Sequence, residues 1–322
     1  MVASPIKVAV LDDYQNLALQ MADWSPLQGR ATVTVFNDHI SDPDLLVERL
    51  APFEVVCVMR ERTPLPRAIL ERLPNLKLIA STATRNASID ATAAAERSIR
   101  IAITGYESTP TIELTWALIL AGLRHIASEN ASLRGGGWQR AIGEPLAGKT
   151  LAVLGLGNIG SEVARIGLAF RTRVIAWSQN LNTERAAAAG AELVSKDELF
   201  RQADVLTIHL VLSRRTRGLV GRGELALMKS TAVLVNTSRG PIIDEAALIE
   251  ALRERRIARA ALDVFNEEPL PADHPYRSLD NVLATPHIGY VSRRLYETFY
   301  RDTVDNIRAW LDGAPFREMS LQ

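Results

Sequence analysis

Cysteine is nearly absent: the 322 residues include one, Cys57. A lone thiol forms no internal disulfide, which points to a reducing compartment and a cytoplasmic protein. It sits in the apolar run Val55-Val56-Cys57-Val58, so it reads as a buried small hydrophobe, not as a nucleophile. An excess of charge of either sign is also missing, with 37 Lys plus Arg against 37 Asp plus Glu. That balance argues against recruitment of nucleic acid or an anionic membrane over the whole surface. No charged-then-apolar leader opens the chain. The longest apolar stretch, 114–123, is about half of the ~20 residues that a membrane span needs. Glu113 and Arg124 bracket it, and it reads as a buried helix. Internal repeats and low-complexity tracts are lacking too.

The length allows two domains, each with its own core. Short apolar runs at 6–11, 32–36, 55–58, 76–80 and 100–103 alternate with helical patterns such as 42–50 and 66–73. Strands recurring with helices between them predict a parallel sheet covered on both faces. Thr109-Pro110-Thr111 then opens a long helix, with Thr109 as N-cap and Pro110 at the first position. It runs through Leu123 toward Ala131 and stops at Gly135-Gly136-Gly137. Its apolar run is more than one buried face requires, which predicts a homodimer built on this helix and on residues 135–138.

A second series begins at Thr150, with strands at 150–154, 173–177, 205–209, 232–236, 258–263 and 282–284, and a helix at 292–311. The expected fold is α/β, with two Rossmann-like, doubly wound parallel-sheet domains. The first is flavodoxin-like and discontinuous, 1–104 with 290–322; the second covers 105–289.

The sharpest motif is Leu154-Gly155-Leu156-Gly157-Asn158-Ile159-Gly160. A G-x-G-x-x-G alone is weak, but here a strand precedes it and a helical pattern, 161–169, follows. Gly155 suits a tight turn, Gly157 the close approach of a pyrophosphate, and Gly160 the packing of helix on strand. The helix N-terminus at Asn158 and Ile159 offers N–H groups to phosphate. A glycine-rich turn without a ligand is the alternative; the strand–helix–strand context favours a dinucleotide-binding domain over 105–289. The acidic residue usual at the end of the second strand is missing, since the chain reads Trp177-Ser178-Gln179-Asn180. Ser178 neither holds a ribose as a carboxylate does nor repels a 2′-phosphate. No arginine stands immediately beside it, so NAD against NADP stays open.

Three further segments end predicted strands, where open α/β sheets place their ligands. They are Asn236-Thr237-Ser238-Arg239-Gly240, Asp263-Val264-Phe265-Asn266-Glu267-Glu268-Pro269 and Thr285-Pro286-His287-Ile288-Gly289. With the cradle before them, in this order, they resemble the D-isomer-specific 2-hydroxyacid dehydrogenases over almost the whole chain. The glyoxylate/hydroxypyruvate reductase and phosphoglycerate dehydrogenase branches are the most similar. The resemblance implies an NAD(P)-dependent oxidoreductase acting on the CH–OH group of a small 2-hydroxy acid. It makes 1–104 with 290–322 the substrate domain.

It also implies three catalytic residues, Arg239, Glu268 and His287, and the chemistry explains their types. Hydride delivered to a carbonyl carbon leaves the oxygen needing a proton, which His287 can supply, because imidazole titrates nearest neutral pH. Glu268 would hydrogen-bond the other ring nitrogen and favour the protonated ring by its charge. Arg239 would bind the substrate carboxylate and the polarised carbonyl oxygen through its planar fork. Singly, each has a plainer reading: a surface turn, a solvated carboxylate, a satisfied core histidine.

By the same resemblance Thr237, His209 and Asp263 stand on the cofactor side, Asp263 at the carboxamide; a strand-end cap is its alternative. His209 departs from the family, because the usual proline two residues on is Val211. Ser81-Thr82-Ala83-Thr84-Arg85-Asn86 corresponds to a loop, usually glycine-rich, whose N–H groups hold the substrate carboxylate, here at Ala83 and Thr84. Arg60 would meet an anionic substrate tail, or else pair with Glu61. Trp138 resembles a residue that in some reductases reaches the neighbouring subunit's site; a packing role is the plainer reading. His39, His125 and His274 match no motif, and no metal site is read.

Three rivals follow. Many phosphoglycerate dehydrogenases carry a C-terminal regulatory domain, for which a chain ending at Gln322 leaves no room. Formate dehydrogenases differ at the Glu268 position. A dinucleotide-sensing binding protein, like the corepressors of this fold, would keep the same three residues without turnover.

Overall fold

The computed structural model describes residues 4–319. The chain divides into two compact units, Met1–Glu107 with Ser292–Gln322, and Ser108–Val291.

Among the described residues, the first unit holds five parallel strands: β1 (Ile6–Val10), β2 (Ala31–Val35), β3 (Val55–Val58), β4 (Leu78–Ser81) and β5 (Arg100–Ala102). Their order is β2-β1-β3-β4-β5, the flavodoxin-like arrangement. Every residue of β3 and β4 is buried, as a parallel sheet covered on both faces requires. Cys57 lies inside β3, and burial pushes its thiol up to about 12. The Pro43–Leu50 helix starts on Asp42, whose carboxylate accepts from the N–H groups of Asp44 and Leu45. The Arg293–Leu311 helix belongs to this unit. It buries Leu295, Phe299, Val304 and Ile307, and Asp302 accepts from the Gly105 N–H at 2.8 Å.

The second unit holds seven strands among its described residues: β6 (Thr150–Leu154), β7 (Arg173–Trp177), β8 (Glu192–Leu193), β9 (Val205–Ile208), β10 (Val233–Asn236), β11 (Arg259–Leu262) and β12 (Val282–Ala284). All are parallel, in the order β12-β11-β10-β9-β6-β7-β8. Alternate residues of β6 enter different cores. Ala152 and Leu154 pack with Leu206 and Phe200, and Leu151 and Val153 with Trp116 and Ile119.

The long helix expected from Thr109 to Ala131 is two helices. The first, Thr109–Arg124, has Ser108 and not Thr109 at its N-cap position, without a side-chain capping bond. It ends at His125, which adopts a left-handed conformation (φ 55°, ψ 30°), and Ile126–Arg134 follows. His125 Nδ1 meets Arg259 Nη2 at 2.7 Å. Burial, and then the Arg259 charge, hold this imidazole below its ordinary pKa, which suits an acceptor for arginine. The apolar run goes mainly into the unit's own core, with Trp116, Leu118, Ile119 and Leu123 buried. The exposed apolar side chains lie further on: Ile126, Leu133, Trp138 at 72% and Ile142 at 92%. No described helix is long and apolar enough to cross a membrane.

Candidate active site

The glycine turn after β6 is built by close contacts. Gly155 has φ +100°, and a Cβ there would stand 2.6 Å from the His209 carbonyl oxygen. A Cβ on Gly160 would stand 2.0 Å from the Gly155 carbonyl oxygen, so the Asn158–Ala169 helix rests directly on the turn. Gly157, the helix N-cap, differs: nothing lies within 4 Å of its Cβ position. Open space thus meets the first-turn N–H groups of Asn158 and Ile159, where a helix carries partial positive charge. Such a cradle fits the diphosphate of a dinucleotide.

Loops from the neighbouring strands flank it. Ser178 follows β7, and the Gly155 N–H donates to the Trp177 carbonyl at 2.9 Å. His209 follows β9, and its Nε2 meets Thr207 Oγ1 at 2.9 Å. Burial lowers the His209 pKa to about 3, so its ring is neutral near pH 7. Thr237, after β10, shares a 2.8 Å hydroxyl contact with Thr115.

The remaining groups leave three consecutive strands, β10, β11 and β12. Asn236 shapes the first turn: its amide donates to the Arg239 carbonyl at 3.0 Å and its carbonyl accepts from the Ser238 N–H at 3.0 Å. Arg239 Nη1 donates to the Ser238 carbonyl at 2.7 Å. Gly240 fits only as glycine, because a Cβ would stand 2.1 Å from the Phe265 carbonyl carbon. The arginine turn therefore lies against the loop that carries Glu268.

Glu268 uses both oxygens. Oε1 accepts from the Phe265 N–H at 2.9 Å, and Oε2 lies 2.5 Å from His287 Nδ1. Nδ1 is thereby engaged, and Nε2 is the ring's other nitrogen. The His287 loop is held by Asp263, which is buried. Asp263 Oδ1 accepts from Thr285 Oγ1 at 2.6 Å and from the Ile288 N–H at 2.9 Å, and Oδ2 from the Gly289 N–H at 2.8 Å. Burial raises the Asp263 carboxyl pKa against the lowering effect of these bonds.

In the first unit, Arg60 has φ 57° and its guanidinium lies 5.0 Å from the Tyr106 ring centroid, with Nε 3.6 Å from Glu61. The alternative expected for Arg60, an ion pair with Glu61, is thus present, with the Tyr106 ring beside it. Ala83 departs from expectation: it is buried, and its N–H donates to Thr104 Oγ1 at 2.7 Å. The exposed residues of that turn are Thr84 and Arg85. Gly240 and Thr285 stand inside motifs named from the sequence but were given no role of their own there, and nothing local in the sequence pointed to Thr115 or Thr104.

The family model for the D-isomer specific 2-hydroxyacid dehydrogenase NAD binding domain matches residues 116–289. The chain belongs to the D-isomer specific 2-hydroxyacid dehydrogenase family. It is therefore an oxidoreductase acting on CH–OH donors with a nicotinamide cofactor. Among its relatives in this family, a glyoxylate reductase of Aeropyrum pernix is 42% identical over 255 residues, covering 76% of each chain. A hydroxypyruvate reductase of Thermotoga maritima is 38% identical over 289 residues, covering 88% of this chain and 91% of the other. The crystal structure of a phosphoglycerate oxidoreductase from Vibrio cholerae O395 superposes with a TM-score of 0.91 at 38% identity, covering 96% and 100%. Both sheets are parallel and doubly wound, as the sequence led us to expect, with β8 a strand it did not predict.

Proposed function

We propose that this dehydrogenase reduces a small 2-oxo acid of the glyoxylate or hydroxypyruvate type, with His287 as proton donor. The 2.5 Å contact between Glu268 and His287 Nδ1 carries the proposal, because it fixes the ring and leaves Nε2 to protonate the carbonyl oxygen. Arg239 binds the substrate carboxylate and polarises the carbonyl. The bound nicotinamide supplies the hydride. Gly155, Gly157, Asn158, Ile159 and Gly160 hold its diphosphate, and Ser178, His209, Thr237 and Asp263 complete the cofactor side. Asp263 acts there chiefly by fixing the His287 loop. The unit containing β1 to β5 is the substrate domain, where Arg60 and Thr84 contribute, Thr84 being accessible in its turn together with Arg85. The names of the Aeropyrum and Thermotoga relatives support the substrate class.

A second reading, a phosphoglycerate dehydrogenase type, is favoured by Arg60 as a partner for an anionic tail and by the Vibrio structure's name. Turnover with glyoxylate, hydroxypyruvate and phosphohydroxypyruvate, each with NADH and NADPH, separates these readings. No turnover with any of them would leave the dinucleotide-sensing role.

Glu268→Gln lowers kcat of reduction while cofactor affinity holds, because an amide does not fix the imidazole as the carboxylate does through its 2.5 Å contact with Nδ1. An unchanged kcat would separate Glu268 from His287.

With Ser178 at the end of β7, the cofactor choice is open to NADP as well as NAD. Ser178→Asp lowers the kcat/KM ratio of NADPH to NADH by restoring repulsion of the 2′-phosphate. An unchanged ratio would place the discrimination elsewhere.

A cytoplasmic homodimer completes the proposal. The solitary buried Cys57 supports the compartment. The exposed Ile126, Leu133, Trp138 and Ile142 support association through the Ile126–Arg134 helix and the segment after it. Sedimentation at micromolar concentration gives twice the chain mass if this holds; Trp138→Asp weakens it, and a stable wild-type monomer sinks it.

A further inference from the structure

The loop after β9 reads Leu210-Val211-Leu212-Ser213-Arg214-Arg215-Thr216-Arg217, three arginines in four residues of a chain with zero net charge. All three are exposed. Among the described residues, no carboxylate forms an ion pair with any of them. The loop is nevertheless ordered around Thr216, whose Oγ1 donates to the Val211 carbonyl at 2.7 Å and accepts from the Ser213 N–H at 2.8 Å. The Arg217 N–H donates to the Ser213 carbonyl at 3.0 Å, and the Gly218 N–H to the Pro241 carbonyl at 2.9 Å. An anchored turn thus presents unneutralised guanidinium groups.

Its position gives them a use. In the sheet, β7 and β9 lie on either side of β6, and Trp177 and Ile208 both pair with Leu154. Ser178 and His209 therefore begin the two loops that flank the cradle, about 10 Å or two strand spacings apart. A dinucleotide whose diphosphate rests on the cradle places its adenosine ribose at the end of β7, where Ser178 brings no negative charge. Val211, 84% exposed in the arginine loop, offers an uncovered apolar surface on the other side, suited to the flat face of a purine.

We propose that Arg214 and Arg215 form the 2′-phosphate subsite and make this enzyme select NADP(H) over NAD(H). This rests on the reading that the cradle holds a nicotinamide dinucleotide. A phosphate monoester brings up to two negative charges and three acceptor oxygens, which forked guanidinium groups bind with charge-assisted hydrogen bonds.

The test is calorimetric titration of the whole protein with adenosine 2′,5′-bisphosphate and with 5′-AMP. Wild type is expected to favour the bisphosphate by about 10- to 100-fold, the effect of one charge-assisted bond. Raising the ionic strength should erode that preference. The double substitution Arg214→Ser with Arg215→Ser should erase it, with an unchanged melting temperature showing that the loop change leaves the fold intact. Arg214→Lys with Arg215→Lys should keep part of it, because charge remains and the fork is lost. Equal affinity of wild type for the two fragments, while NADH still binds, overturns the proposal and leaves the cradle reading standing. So does a preference that survives in the serine variant. If neither the fragments nor NADH bind, the cradle reading falls and the proposal falls with it.

Discussion

His287→Ala lowers turnover in 2-oxo acid reduction by about 10²–10⁴-fold, the usual contribution of a positioned proton donor. The carbonyl oxygen must then take its proton from water, without the ring that Glu268 orients at 2.5 Å. Cofactor binding is expected to survive, because the diphosphate cradle is assembled by Gly155, Gly157 and Gly160 and none of their contacts involves His287. The measurement is kcat beside the cofactor Kd from nicotinamide fluorescence. Loss of cofactor binding together with turnover would mean that the substitution disordered the loop and tested nothing about the proton; a variant with near-normal kcat would put proton delivery on another group. His209 is not that group, since burial lowers its pKa to about 3 and it holds no imidazolium proton at assay pH.

Gly240→Ala is expected to damage the fold and the chemistry together. The added Cβ would stand 2.1 Å from the Phe265 carbonyl carbon and 2.2 Å from its oxygen. Both are backbone atoms, so no rotamer change relieves the overlap. The turn bearing Arg239 must move away from the loop bearing Glu268. A destabilisation of roughly 3 kcal/mol stands at the upper end of ordinary overpacking. For a unit of this size that lowers the melting temperature by about 6–12 °C. Gly157→Ala is the control. Its Cβ meets nothing within 4 Å, so the melting temperature holds while cofactor affinity falls. Equal melting temperatures and equal kcat/KM for wild type and Gly240→Ala would disprove the contact.

Much of this was legible in the sequence because the signals are local. β6 is a mostly apolar run that stops just before Gly155, and the helix after it begins within the spacing of Gly155, Gly157 and Gly160. The buried runs of β3 and β10 announce a parallel sheet through their lack of alternation. What stayed hidden depends on partners distant in the chain. His125 breaks a helix that its own neighbours favour, and the residue that meets it, Arg259, stands 134 positions on. Glycine in that place would have advertised the left-handed turn; histidine did not. The Ala83 amide was expected at the substrate, but Thr104, 21 residues away, takes its hydrogen bond. β8 spans only Glu192–Leu193, too short for any periodicity to show. The Glu268–His287 pair came through the resemblance; nothing local to either residue names the other.

The adjacency of β10, β11 and β12 has a consequence for how this chain tolerates changes of length. The loops that carry Arg239, Glu268 and His287 leave strands about 4.8 Å apart, a spacing fixed by backbone hydrogen bonds. The connectors at the other ends of the strands do not set that spacing. Residues added where strands begin, such as between the Glu245–Arg253 helix and β11, extend the polypeptide and leave the spacing alone. A single residue added inside β12 exchanges its inward and outward side chains and displaces everything after Ala284, His287 included. Growth and shrinkage are therefore admissible at one rim of the sheet and forbidden at the other, so the enzyme's length can drift while its reacting distances stay constant.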